Sequence, residues 1–172
     1  MSTASRRRLG LLIVAVLASL GLLGATAPAY AAPGGTGHTV TSTDNFHGTM
    51  SFQDVNPCTG NLLNIDTTSN IVEHITYFPE GDEVWATFTQ EDKVVATDPA
   101  TGVVYTGHAT FWGNFNLNEQ NSNSTFTGSI TVRGSDGSVV KYREVDHFTL
   151  AANGEVTVSF EKPRLTCGLK TG

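Results

Sequence analysis

The sequence predicts an all-β protein: a single antiparallel β-barrel of about eight strands with one disulfide, preceded by a cleaved signal peptide. From Phe46 onward, apolar residues alternate with polar ones, and clusters of Pro, Gly, Asn and Asp separate the alternating stretches. No stretch with a helical period follows the leader. Because the strands follow one another as hairpins without a long crossover, a barrel is favoured, and a β-sandwich is the alternative.

The first 31 residues have the order of a signal peptide. Three arginines at positions 6–8 precede an apolar run over residues 9–23, and Ala29-Tyr30-Ala31 is a small-x-small cleavage site. We expect a secreted protein, exported by the general secretory or the twin-arginine route. Residues 32–45 are rich in Gly, Thr, Ser and Pro and are predicted to be a flexible segment before the barrel domain at 46–168.

The charge of the mature chain excludes two classes of partner. Removal of the leader removes three arginines, so seven Lys and Arg remain against sixteen Asp and Glu, and the net charge becomes −9. The basic residues that are left come no closer together in the sequence than in Lys141-x-Arg143. We therefore expect no nucleic-acid partner and no membrane association after cleavage.

The alternation places the strands in order along the chain. Glycines fall on the apolar parity of several strands, where small residues permit the curvature that a closed sheet requires. These glycines are Gly48, Gly107, Gly113 and Gly128. The predicted strands cover residues 46–52, 63–65, 71–78 (a third strand or a continuation of the second), 84–88, 93–97, 103–117, 126–132, 139–150 and 156–160.

Two features of these strands carry further expectations. Glu144 and Asp146 share the parity of apolar residues in the strand over 139–150, which predicts a β-bulge near residues 143–145, since one inserted residue exchanges the faces. The apolar parities also predict one buried core. Its expected members are Phe111, Phe115, Phe126, Ile130, Val156, Val158 and Phe160.

The two cysteines predict a disulfide. Cys58 lies in the turn after the first strand, and Cys167 lies 109 residues later near the C-terminus. An exported chain with two cysteines and no further ligand at zinc spacing is expected to pair them. The bond would join the two ends of the domain.

The order of these signals resembles a known group. Pro57-Cys58-Thr59-Gly60, the segment from Asp98 to Gly107, Asn153-Gly154 and Cys167-Gly168 resemble a functionally uncharacterised family of small exported β-proteins of actinobacteria. In architecture alone the chain is similar to the dirigent and allene oxide cyclase barrels. The resemblance rests on turns and cysteines and implies no active-site residue.

The sequence predicts no catalytic residue, metal site or cofactor. His47, His74, His108 and His147 fall on four different strands, without the spacing of a metal site. No motif of a serine nucleophile occurs. Surface or strand-pairing histidines are the expected interpretation.

The tryptophans predict a binding surface. Trp85 and Trp112 lie on polar parities, the second together with Thr106, His108 and Thr110. Aromatic rings among hydroxyl groups suit a sugar or another amphipathic ligand, although such rings also fill cross-strand pairs. We therefore expect an exported, non-catalytic β-domain that binds a small amphipathic ligand, a glycan such as cell-wall polysaccharide, or another cell-envelope partner. A barrel-pocket enzyme of isomerase or cyclase type, acting on a small apolar molecule, and a structural surface protein are the alternatives.

Overall fold

The strands form one antiparallel sheet. The computed structural model describes residues 38–80 and 82–168, so the predicted signal peptide lies outside the described residues. The sheet order is β1 to β7, and β8 pairs with β6. The strands are β1 (Val40–Val55), β2 (Leu62–Phe78), β3 (Glu83–Thr97), β4 (Val104–Leu117), β5 (Asn121–Gly134), β6 (Val139–Ala151), β7 (Val156–Glu161) and β8 (Arg164–Gly168).

Several strands are longer than the alternation predicts. The first strand begins at Val40 rather than at Phe46, and β2 runs unbroken through the polar residues Thr67 to Asn70. The two stretches predicted around Val84 and Val94 are one strand, β3. Polar residues on both parities conceal these continuations in the sequence, but cross-strand hydrogen bonding holds them extended.

The last two strands act as one edge. β8 pairs with the first part of β6, from Val139 to Arg143, and β7 pairs with its second part, from Asp146 to Leu150. Pro163, which has no backbone N–H, lies in the break between them. Among the described residues, β1 pairs only with β2, and β7 and β8 pair only with β6, so hydrogen bonds do not close the sheet.

The disulfide shows that the sheet is strongly curled at one end. The Cys58–Cys167 bond joins the β1–β2 turn to β8, with 5.7 Å between the two Cα atoms. In a flat sheet, between five and six strand spacings would separate these positions by about 24–29 Å. The curled sheet has an inner face, which we define by the register row that joins Val94, Gly107, Val132 and Val140.

The packed core lies on the inner face toward the disulfide. Its apolar members include Val94, Tyr105, Phe111 and Val132. An added Cβ on Gly107 would overlap the Thr131 carbonyl oxygen, so the glycine allows close backbone approach there. Six residues farther along β4, Phe88 and Phe126 approach each other over Gly113, with 6.4 Å between ring centroids.

A polar network holds the turns at the disulfide end. The Asn56 side-chain oxygen accepts hydrogen bonds from the Cys58 and Thr59 backbone N–H groups. Asn61 donates to the Asp98 carboxylate at 2.7 Å, which joins the β1–β2 turn to the β3–β4 turn. Asp98 also accepts from backbone N–H groups of its own turn, and only 1% of its surface is exposed. We call this region the closed end.

At the other end, large apolar side chains of the inner face are exposed. They lie on two adjacent register rows that cross the sheet from β1 to β7. We call this surface the open end. Its members are Val40, Tyr77, Phe115, Leu117, Phe148 and Val156.

The predicted core is therefore correct only in part. Phe111 and Phe126 are buried, whereas Phe115 is 40% exposed at the open end. Val158 and Phe160 are exposed and pair with outer-face residues of β6, because a register shift at Thr149/Leu150 exchanges the faces of β7. Apolar and polar residues do alternate in β7, but the apolar residues Val158 and Phe160 lie on the outer face.

Candidate functional site

Two acids remain on the inner face of β6. The pairing of β5 with β6 is continuous from Val139 to Ala151, so the bulge predicted near residues 143–145 is wrong. The register shift occurs later, between Thr149 and Leu150. Glu144 consequently shares a register row with Phe111, and Asp146 shares the next row with Phe126.

A third acid joins them from β7. Glu161 lies directly opposite Asp146 in the antiparallel pairing. Carboxylate oxygens of Glu144, Asp146 and Glu161 all lie within 4.8 Å of one another. Like charges in directly opposite positions destabilise a sheet, so the fold keeps this carboxylate cluster together at a cost.

The cluster is shielded from water on one side. Only 1% of the Glu144 surface is exposed, and neither of its carboxylate oxygens has a hydrogen-bond partner of good geometry. Asp146 Oδ1 is also buried without a partner. Glu161 is exposed and gives the cluster a side that faces solvent.

This environment shifts the protonation of the cluster. Burial, reinforced by the neighbouring charges of Asp146 and Glu161, raises the pKa of Glu144 from 4.5 to about 7, although the nearby Tyr142 hydroxyl opposes the shift. Burial and then Glu161 raise the pKa of Asp146. Burial and the Glu144 charge also raise the pKa of Tyr142. The cluster can therefore hold a proton near neutral pH or bind a cation.

The inner face offers the cluster no basic side chain. Every Lys, Arg and His within the eight described strands lies on the outer face, as the register shows. Asp92, another buried acid of the inner face, instead accepts two hydrogen bonds of 3.0 Å from Gln90. The inner-face acids are Asp44, Asp54, Glu73, Asp92, Glu144, Asp146 and Glu161.

The predicted tryptophan surface lies on the outer face. Thr106, His108, Thr110 and Trp112 follow one another along β4, and Trp112 is 42% exposed. Trp85 is also exposed on that face. These positions agree with the polar parities from which the surface was predicted, and a ligand there stays a prediction.

The fold does not bring the two indole rings together. Trp112 pairs with Thr89, whereas Trp85 lies four residues farther along β3. That separation corresponds to about 13 Å along the strand. The Trp85 ring packs against Phe78 at 5.0 Å between centroids, and its Nε1 donates to Glu83 at 2.7 Å.

Three of the four strand histidines have cross-strand partners. His47 hydrogen-bonds with Asn70, His74 with Thr43, and His147 with Thr125. Such contacts are those of strand-pairing residues, which is the interpretation that the sequence favoured. Within residues 38–80 and 82–168, the carboxylate cluster is the one group of potential metal ligands, and it contains no histidine.

The outer face also carries a basic patch that sequence spacing concealed. Arg143 and Arg164 are directly opposite each other on β6 and β8, with Lys141 two residues away on the same face. Arg133 and Lys141 line a depression of about 210 Å³ together with Val139, Thr166 and Gly168. Lys141 and Arg143, neighbours in the sequence, are thus part of a larger basic group in the fold.

Comparisons with known proteins leave the resemblance untested. No protein-family model matches the chain, and no curated protein or solved structure shows significant similarity to it. The resemblance to small exported β-proteins and to dirigent-type barrels thus stays a prediction. Over the described part of the chain, no helix is long and apolar enough to cross a membrane.

Proposed function

We propose that this protein is an exported, non-catalytic β-domain that binds a small amphipathic ligand at the open end of its inner face. The observation that carries this proposal is the set of large apolar side chains exposed together there, beside the carboxylate cluster. Contiguous exposed apolar surface in a folded protein is typical of a binding site, whereas isolated apolar residues are ordinary.

The register supports one continuous surface. Phe115 and Phe148 lie in one row, separated only by Ser124, and Leu117 lies in the next row. Side chains two residues apart on one strand are about 7 Å apart on the same face, so these groups can contact a single small molecule. The sheet backbone holds each of them at a fixed position.

Charge narrows the chemistry of the ligand. The inner face carries acids but no basic side chain within its strands, so an anionic head group would meet an unfavourable potential there. A neutral or cationic polar group joined to an apolar body fits better. A short glycan with an apolar substituent belongs to this class.

Export is the second part of the proposal. The leader has basic, apolar and small-residue regions in the order of a signal peptide, which favours export. The Cys58–Cys167 disulfide favours an oxidising compartment outside the cytoplasm. N-terminal sequencing of protein from the culture medium should begin close to Ala32. Protein that retains Met1 would contradict cleavage.

The binding test uses the neutral fluorescent probe N-phenyl-1-naphthylamine. Its emission should rise on binding, and Phe115→Ala and Phe148→Ala should each weaken its affinity by about fivefold or more, since about 1 kcal/mol of apolar contact is lost. An alkyl glycoside should compete with the probe. Measuring the same competition with the two Phe variants would then show whether the alkyl glycoside binds at the open end.

Trp112→Ala is the matched control. Trp112 is 42% exposed and lies on the same strand as Phe115, but on the opposite face. We expect its replacement to leave the probe affinity unchanged within about twofold. If Trp112→Ala weakens binding and the two Phe variants do not, the ligand binds the outer face and the open end is not the site.

A further inference from the structure

Within the described strands, the carboxylate cluster has no positively charged partner. Glu144 is buried with both oxygens unsatisfied, and Asp146 has one further buried oxygen without a donor. A buried carboxylate without hydrogen bonds destabilises the folded state strongly. Asp92 shows that this inner face can satisfy an acid when a donor such as Gln90 lies beside it.

The described strands supply no positive charge to the cluster. No Lys, Arg or His of the described strands projects from the inner face, so the fold supplies no counter-charge of its own. The exposed side of Glu161 leaves the cluster open to solvent and gives an ion a path of entry. An external cation would satisfy the three carboxylates together.

The ligand atoms favour calcium among the common ions. Three carboxylates are hard oxygen ligands, and the cluster has neither the thiolate nor the imidazole that zinc sites use. Calcium binds oxygen at about 2.3–2.6 Å, so two oxygens on opposite sides of the ion lie about 5 Å apart. The observed separation of at most 4.8 Å fits around one such ion. Magnesium requires shorter distances and stricter octahedral geometry.

We propose that Glu144, Asp146 and Glu161 form a calcium site that links the edge strand β7 to β6, with water completing the coordination on the Glu161 side. Two of the ligands come from β6 and one from β7. Every residue of β7 is exposed, so a bridging ion would add a contact where the edge has little packing. This site does not depend on the ligand proposed for the open end.

Isothermal titration of the oxidised protein with calcium chloride near pH 8 tests the site. We expect one site per chain with a Kd on the order of 0.1–1 mM, the range of extracellular calcium modules. Asp146→Asn and Glu161→Gln should each weaken binding at least about tenfold. Glu161 is exposed, so its variant tests the site without disturbing the core.

Glu73→Gln is the matched control. Glu73 lies on the same inner face and in the register row of Asp146, but on β2. Its removal lowers the negative charge of the face by the same amount, and we expect calcium affinity to change by less than about twofold. Equal weakening by Glu73→Gln and Glu161→Gln would overturn the site, because calcium would then respond only to general charge.

Terbium luminescence supplies an independent readout. Tyr142 lies two residues from Glu144 on the same face, so excitation of tyrosine should sensitise the emission of Tb³⁺ in the cluster. Calcium should displace the signal, and Tyr142→Phe should reduce it while calcium binding by titration persists. No binding heat up to about 10 mM calcium, or binding of magnesium as tight as that of calcium, would overturn the proposal.

Discussion

Two buried acids in different regions of this protein behave in opposite ways. Asp98, at the closed end, and Glu144, in the carboxylate cluster, are each only 1% exposed. Asp98 accepts hydrogen bonds from Asn61 and from backbone N–H groups of its turn, and the Asn61 hydrogen bond lowers its pKa. Burial raises the pKa of Glu144 to about 7, because the nearby Tyr142 hydroxyl opposes the shift only in part.

The difference separates a structural acid from a candidate functional one. At the closed end, the Asn61–Asp98 hydrogen bond joins two turns that are distant in the chain, and the disulfide joins the first of these turns to β8. In the cluster, three acids approach one another without a counter-charge from the described strands, which a purely structural role does not require. Substitutions at the two regions should therefore have opposite consequences for stability.

The largest expected effect distinguishes the packed core from the open end on one strand. Phe111 is 8% exposed and Phe115 is 40% exposed, and both lie on the inner face of β4. Phe111→Ala should lower the free energy of unfolding by about 3–5 kcal/mol, whereas Phe115→Ala should lower it by less than about 1 kcal/mol. Denaturant titration measures both, and similar losses would mean that the open end is part of the core.

Loss of the disulfide should have the next largest effect. Replacing Cys58 and Cys167 together by serine should lower the free energy of unfolding by about 2–5 kcal/mol, because the bond closes a long loop. Denaturant titration of the double variant against the oxidised protein measures the loss. A change below about 1 kcal/mol would contradict the view that the disulfide secures the closed end.

Asp98→Asn should destabilise the protein in a pH-dependent way. Because the folded-state pKa of Asp98 lies below its ordinary value of 3.8, its ionised form stabilises the fold above that pH, and the contribution is lost as the pH falls through the lower folded value. The melting temperature of Asp98→Asn should therefore lie below that of the wild type at neutral pH. The two should converge under strong acid, and a constant difference would exclude the ionised carboxylate as the cause.

In the presence of a chelator, Glu144→Gln should remove a loss of stability that the wild type shows as the pH rises. The folded state holds the Glu144 proton up to a pKa of about 7, whereas the unfolded chain releases it near 4.5. The stability of the wild type should thus fall as the pH rises between these values, and the Gln variant should lack this part of the fall. Melting curves from pH 5 to 8 test this, with Glu91→Gln on the exposed outer face as the control.

The sequence predicted the fold where local pattern determines it. The structure confirms the hairpins and the Cys58–Cys167 bond that the turn signals and cysteines predicted. Alternation located most of the strands, but it divided β3 into two and missed β8. Alternation could not reveal the shift at Thr149/Leu150, because one inserted residue in β7 leaves the local pattern intact and exchanges its faces. Whether the sheet closes depends on pairing between its first and last strands, which are far apart in the chain, and no local pattern specifies such pairing.

The sequence contains a signal of the candidate site. Glu144 and Asp146 on an apolar parity predicted a bulge, since acids on an inner face are costly. The structure retains the pairing and keeps the acids inside. Glu161 could not be linked to them from sequence, because the pairing of β7 with β6 brings it opposite Asp146.

The most direct test of the contrast between the two acids is a carboxyl-carbon NMR titration of Asp98 and Glu144 in one calcium-free sample of the wild type. We predict that Glu144 titrates near pH 7, well above its ordinary value of 4.5, and that Asp98 titrates below 3.8. A Glu144 carboxyl that titrates at or below 4.5 would show that the fold already satisfies its charge. That result would contradict the assignment of the carboxylate cluster as a functional site.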